Sequence, residues 1–303
     1  EALKEQFGDR VQYIKEPTNA DIANASLVIY STGTEDSEGS DISFNLPGRA
    51  DSAIHKLARI NPNTVVVMNA GGGRNMSNWN SDVGAILYSW YPGQVGNKAL
   101  AEIIAGETNP SGKLPITIEQ KFEDSPGYPY LPEGKELYTG WGPDMDMDHP
   151  IFDITYDEGV FVGYRWYEHK NIKPLYPFGH GLSYSDFEYS ALKTNSEKYS
   201  MGEDVLVKVD VTNTSKVTGK EIVQLYVQDV NASVKRPQKE LKDFRKVQLN
   251  EGETKTVYFT LKERDFAYWD KCTSSWKVEP GKFEIKVGAS SADIKLQEAI
   301  TLK

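Results

Sequence analysis

Four carboxylic acids stand close together between Thr32 and Gly48, in the stretch TGTEDSEGSDISFNLPG: Glu35, Asp36, Glu38 and Asp41, with Asp51 just beyond. Carboxyl groups crowded in this way disfavour one another's ionised forms, and a ligand closing over them would desolvate them further. Both effects move a carboxyl toward the range in which it gives and takes a proton near neutral pH. The competing reading is a solvated turn, because acidic surface loops are common. Spacing alone does not choose among the four.

Other motifs carry less chemistry. NAGGGRNM (Asn69–Met76) follows a strand-like run but lacks G-x-G-x-x-G spacing and a helix signal, so it reads as a tight turn beside a site rather than a phosphate cradle. NPSGKLP only imitates a P-loop, since Leu114 stands where Ser or Thr is needed and Pro115 blocks the helix. DMDMD (Asp144, Asp146, Asp148) opens like a calcium loop but has His149 at the sixth position and Thr155 at the twelfth. It reads as an acidic turn. His55, His149, His169 and His180 show no metal spacing, and His180, between two glycines, reads as a hydrogen-bonded structural residue. There is no G-x-S-x-G elbow, and the single cysteine, Cys272, lies far from the acidic loop. No metal or organic cofactor is expected.

The elements that must position the acids follow from periodicity. LVIYS (Leu27–Ser31), TVVVMNA and AILYSW read as buried strands, while RADSAIHKLARI and QVGNKALAEIIAG read as helices, with Ala53, Ile54, Leu57 and Ala58 on one face of the former and Gly106 closing the latter. Strands alternating with helices predict an α/β sandwich with a mostly parallel sheet, in which loops at the carboxyl ends of strands carry ligands. The acidic loop is such a loop. From Gly202 onward the period changes to two, as in VLVKVDVT, IVQLYVQ, TVYFTL and KFEIKVG, which predicts an all-β sandwich of immunoglobulin-like type. The expected division is residues 1–118 for the α/β domain, 119–189 for an irregular Pro-, Gly- and aromatic-rich connection packed on both domains, and 190–303 for the β-sandwich.

Composition narrows the partners. The chain has 303 residues, a formal net charge of −10 and 17 Tyr with 6 Trp. An acidic protein lacks the cationic footprint that nucleic acid or an anionic membrane needs, so neither is expected as a partner. With one cysteine no intrachain disulfide forms, which fits the cytoplasm and equally many bacterial exported proteins. The chain opens on Glu1 without an initiator Met, so it is expected to begin inside a longer protein.

Several stretches then form a familiar series. EGSDISFNLP, INPNTVVVMNAGG, WYPGQVGNKALAEIIAGETNPSGKLPITI, YDEGVFVGYRWYE and PLYPFGHGLSYSDFEY closely resemble the C-terminal half of family 3 glycoside hydrolases, the β-glucosidase family. RPQKELKDFRKVQLNEGETKTVYFTL and WKVEPGKFEIKVGASSADI resemble that family's fibronectin type III-like domain. The resemblance implies a retaining hydrolase acting on β-glucosides or oligosaccharides, whose nucleophile sits on an N-terminal (β/α)8 barrel. It also implies that the position matching the family's E-G-x-D-R glutamate, Glu38, is the general acid/base, with Glu35 as the fallback and Asp41 and Trp79 lining the sugar site. One departure stands out, in that the motif's Arg is Ile42 here.

The barrel and the first strand and helix of the sandwich have no counterpart in these residues, so the barrel is expected as a separate chain, as after nicking of a folded enzyme. The alternatives are a β-xylosidase or α-arabinofuranosidase of the same family, or a non-catalytic carbohydrate-binding or scaffold paralogue. A homo-oligomer is compatible with the sequence, and the family points to a periplasmic or secreted setting, with the cytoplasm also compatible.

Overall fold

A strand covered on both faces must be apolar almost throughout, and TVVVMN is the strand around which the first half is built. In the computed structural model, which describes residues 1–38, 42–130 and 156–303, two short helices, α1 (Ala2–Phe7) and α2 (Asn19–Asn24), precede strand β1 (Val28–Gly33). Helix α3 (Ala50–Ile60), β2 (Thr64–Asn69), β3 (Ala85–Tyr88) and α4 (Gly96–Ala105) follow. The strands form a three-stranded sheet in the order β1-β2-β3, parallel throughout, with Val28 opposite Thr64 and Val65 opposite Ala85. Val66, Val67 and Met68 of the central strand are buried together with Ile54, Leu57 and Ala58 of α3. This is the apolar face read from the sequence, except that Ala53 is only half-buried.

Local signals end these elements as their chemistry requires. Thr18 and Asp21 form a reciprocal capping box at the start of α2. Asn61, just past α3, is buried and its amide donates to the carbonyls of Ile22 and Ala25 at 3.0 and 2.6 Å, so the turn also tethers α2. Gly106 closes α4 in the left-handed region, φ 77°, its N–H returning to the last turn.

The second half is a pair of packed sheets. Strands β4 (Phe187–Thr194), β6 (Val205–Asn213) and β9 (Thr254–Leu261) form an antiparallel sheet of three. The other sheet runs β5-β13-β12-β7-β8, with β5 (Lys198–Tyr199), β7 (Gly219–Asp229), β8 (Glu240–Leu249), β12 (Gly281–Ser290) and β13 (Asp293–Leu302). A short hairpin of β10 (Tyr268–Asp270) and β11 (Ser275–Lys277) carries the exposed Cys272 at its turn. Val205, Val207, Val209 and Val211 are all buried in a core with Leu225, Phe259, Phe283 and Ile285, while Leu206 and Lys208 face out. An α/β domain followed by a fibronectin type III-like β-sandwich is the architecture.

The boundary between the halves differs from the expected one. The compact units are residues 1–108 with the described part of 118–157, and residues 109–117 with 158–303. The reason lies in NPSGKLP. Asn109 donates to Ser185 Oγ and the Thr218 carbonyl, and its own oxygen accepts from Ser183 Oγ and the Tyr184 N–H. Leu114 exchanges backbone hydrogen bonds with the 179–180 turn, both 2.8 Å. A Cβ on Gly181 would lie 2.1 Å from the Gly112 carbonyl oxygen, so only glycine permits this approach. The segment expected to be an irregular connection also holds a helix, α5 (Tyr164–Lys170), with Tyr164 and Tyr167 buried. DMDMD and His149 fall outside the described residues. His180 stacks on Tyr176 with ring centroids 5.3 Å apart. Burial and the nearby Lys113 hold its imidazole below the usual range, so it is neutral.

Lys113 and Glu221 form an ion pair at 3.2 Å, with side chains 12% and 5% exposed. Burial pushes the Glu221 carboxyl upward, and the Lys113 charge, the Ile222 N–H and the Tyr189 hydroxyl offset only part of this. A buried charge stripped of its partner is far costlier than a buried pair replaced outright. Lys113→Met is therefore expected to destabilise the β-sandwich unit by about 3–5 kcal/mol in denaturant unfolding. The double variant Lys113→Met/Glu221→Leu is expected to regain most of that loss.

Candidate active site

Parallel strands aim their carboxyl ends at one edge of a sheet, and the loops after β1, β2 and β3 meet there. Gly33 ends β1 so close to β2 that a Cβ would lie 1.8 Å from the Asn69 carbonyl oxygen. The chain then passes through Thr34, Glu35 and Asp36 to Glu38. Asp36 turns back into the loop after β2: its Oδ1 accepts from Arg74 Nη2 at 2.5 Å and its Oδ2 from the Gly71 N–H at 2.5 Å. Arg74 is buried, and it also donates from Nε to Thr34 Oγ1 at 3.1 Å and from Nη1 to the Ser43 carbonyl at 3.3 Å.

The loop after β3 completes the cluster. The Tyr91 hydroxyl accepts from the Asp36 N–H at 2.8 Å and donates to the Thr34 carbonyl at 3.2 Å. Tyr88 donates to the Gly72 carbonyl at 2.5 Å, and burial raises its phenol to about 12, so it remains a neutral donor. Between them Trp90 occupies the left-handed region at φ 54°, which a bulky residue adopts only where its surroundings hold it. Its ring lies 4.8 Å from that of Tyr88.

Electrostatics then sort the acids. Burial would raise Asp36, but hydrogen bonds from Thr34 and Gly71, the Arg74 charge and the Tyr91 hydroxyl outweigh it and hold the carboxyl below the usual range. Asp36 is therefore a fixed anion, unsuited to donating a proton. Glu35 and Glu38 are both exposed; the Glu38 carbonyl accepts from Ser37 Oγ at 3.4 Å, and neither carboxylate carries a hydrogen bond or ion pair among the described residues. Asp41 lies outside the described residues. Of the described acids in this loop, Glu35 and Glu38 are the two that the cluster leaves untied.

Trp79 corrects an expectation. It is fully buried, and its indole N–H donates to Asp51 Oδ1 at 2.9 Å. The turn over Met76–Asp82 folds it inward, so it offers no face to a sugar. The glycines of NAGGGRNM serve the site in another way than by cradling a phosphate. The Gly71 N–H is already taken by Asp36, and a Cβ there would lie 2.8 Å from Asp36 Oδ2 and 3.0 Å from the Tyr91 ring. Sequence reasoning missed Arg74, Tyr91 and Tyr88. The available signal was a lone arginine in a strand-end loop facing a loop crowded with acids.

Among the described residues no group of three or more His, Cys, Asp or Glu side chains is placed to hold a metal ion. No helix among them is long and apolar enough to cross a membrane.

An α/β domain followed by a β-sandwich has counterparts among known proteins. Residues 1–184 match the model for the glycosyl hydrolase family 3 C-terminal domain, and residues 221–291 match a fibronectin type III-like domain. The chain belongs to glycosyl hydrolase family 3. It is 41% identical to a β-glucosidase of Bacteroides ovatus over 278 residues, covering 90% of this chain and 36% of that one. It is 44% identical over 266 residues to thermostable β-glucosidase B of Acetivibrio thermocellus, covering 88% and 33%. An exo-α-(1→6)-L-arabinopyranosidase of Bifidobacterium breve is 37% identical over 284 residues, covering 92% and 35%. Among solved structures, DesR, a β-glucosidase of Streptomyces venezuelae in complex with D-glucose, matches with a TM-score of 0.82 and 35% identity over 94% of this chain and 35% of its own. The chain thus spans about a third of the length of these relatives.

Removing the charge of Asp36 tests the cluster. Asp36→Asn is expected to cost about 1.5–3 kcal/mol near neutral pH, as for a hydrogen bond to a charged group. Because the folded-state pKa of Asp36 is depressed, its contribution is present above the unfolded carboxylate range and is lost as pH falls through the folded value. Urea unfolding of the two proteins across that acid range should therefore show their stabilities converging as pH falls.

Proposed function

We propose that this chain is the C-terminal part of a retaining β-glucosidase and that Glu38 is its general acid/base. The observation that carries the assignment is the sorting of the acids: Asp36 is tied down as an anion by Arg74, whereas the Glu38 carboxylate stands exposed beyond it without a partner among the described residues. Family membership supports the reaction class, and the β-glucosidases among the relatives support the substrate. The nucleophile would be a carboxylate on a (β/α)8 barrel outside these residues, either continuous with this chain or a companion to it.

The reaction then runs in two steps. The barrel carboxylate attacks the anomeric carbon, the glycosidic C–O bond breaks, and the Glu38 proton passes to the departing oxygen. Water next attacks the anomeric carbon of the glycosyl-enzyme ester, the ester C–O bond breaks, and the water proton returns to Glu38. A group that must act as acid and then as base while alcohol and water exchange is well served by a loop open to solvent. Glu35 is the alternative position for the same role. The arabinopyranosidase relative supports a second substrate reading, a pentopyranoside, which a panel of aryl glycosides would separate from the glucoside.

In the enzyme containing both parts, Glu38→Ala is expected to lower kcat/KM on alkyl glucosides by about 10²–10⁴-fold. Azide should restore turnover of activated aryl glucosides by forming the β-glycosyl azide. Unchanged activity toward alkyl glucosides would remove Glu38 from the role and direct the same test to Glu35. Intact-mass measurement of active material under denaturing conditions should show a polypeptide beyond the 34.0 kDa of this chain. Activity from a preparation holding these 303 residues alone would sink the two-part reading.

A further inference from the structure

The chain leaves the sheet at Gly33 and passes Glu38 on its way to Ser43 and Phe44. Arg74 touches it on both sides of Glu38. Its Nε and Nη2 hold the outgoing strand end at Thr34 Oγ1 and Asp36 Oδ1, and its Nη1 holds the returning chain at the Ser43 carbonyl. Its neighbour Asn75 repeats the arrangement on the returning side, the N–H donating to the Phe44 carbonyl at 2.8 Å and the amide to Asn45 Oδ1 at 2.8 Å. With its side chain only 7% exposed, the guanidinium has little freedom to choose other partners.

We infer that Arg74 is a positioning residue that clamps the two stems of the Glu38 loop and so fixes where the proton donor stands. The inference rests on the reading of Glu38 as the acid/base and adds the device that places it. The planar fork of a guanidinium suits this task, because it reaches three acceptors in fixed directions, which an ammonium cannot do. Asp36 is the counter-ion that lets Arg74 be buried, and Gly71 and Tyr91 keep Asp36 in line.

A displaced acid leaves a chemical signature that a general loss of stability does not. Departure of a good leaving group needs no proton, whereas departure of an alkoxide does. In the enzyme containing both parts, Arg74→Lys and the charge-free double variant Arg74→Met/Asp36→Asn are expected to lower kcat/KM for alkyl glucosides by ~10–100-fold. For a dinitrophenyl glucoside the same ratio should fall by less than about threefold, since acid assistance contributes little there. The double variant leaves no buried charge unpaired, so its folded fraction, checked by thermal unfolding, keeps the test readable. Equal losses on both substrates, or no loss on either, would overturn the inference while leaving the Glu38 assignment standing. Glu38→Ala activity equal to wild type would instead remove the reading on which it rests.

Discussion

A guanidinium taken out of water keeps its charge, so the protein around it must supply acceptors in the directions it presents. Arg74 imposes that demand on the carboxyl edge of the three-stranded sheet. Thr34, Asp36 and Ser43 meet it directly. Gly71 and Tyr91 meet it at one remove by holding Asp36. The loops after all three strands are therefore committed to one cation. Glu38, for which the acid/base role is proposed, lies outside that commitment. Two carboxyl groups only two residues apart thus differ in kind, one tied down by Arg74 and the other exposed and without a side-chain partner among the described residues.

The β-sandwich solves a similar problem with another cation. Lys113 reaches Glu221 from a segment that precedes the sandwich by some distance along the chain, and the pair is largely covered, Glu221 the more deeply. Asn109 spends its whole amide on the turn that begins β4 and on the Thr218 carbonyl. Such interactions specify an arrangement more than they stabilise it, since an apolar replacement of equal shape would cost little.

Much of the architecture was legible in the sequence because its cause is periodic. TVVVMN could hardly be anything except a strand covered on both faces, and the valines of VLVKVDVT alternate as a half-buried strand must. Gly106 marked a helix end for a purely local steric reason. The site was legible as a region and illegible as an arrangement. The acidic loop stood out by composition, yet which acid is tied down depends on Arg74, which is 38 residues from Asp36. Trp79 shows the opposite failure. An aromatic near a candidate sugar site looks like a platform, but an indole whose N–H finds a carboxylate inside the fold has no reason to face outward. NPSGKLP was dismissed as a phosphate loop for sound local reasons, and its actual partners lay some 70 residues further on.

The chain leaves its first unit after Thr108, serves the second as far as Thr117, goes back, and departs again after Asp157. Neither unit is thus a single stretch of gene. A recombination event with one breakpoint would hand the β-sandwich to a new host without Lys113, leaving the Glu221 carboxyl buried without its cation, and without Asn109 to hold the Ser183–Ser185 turn. The sandwich looks like a portable module when viewed as strands. Its inheritance is tied to the α/β domain by the nine residues threaded through it, and the two are bound to diverge together.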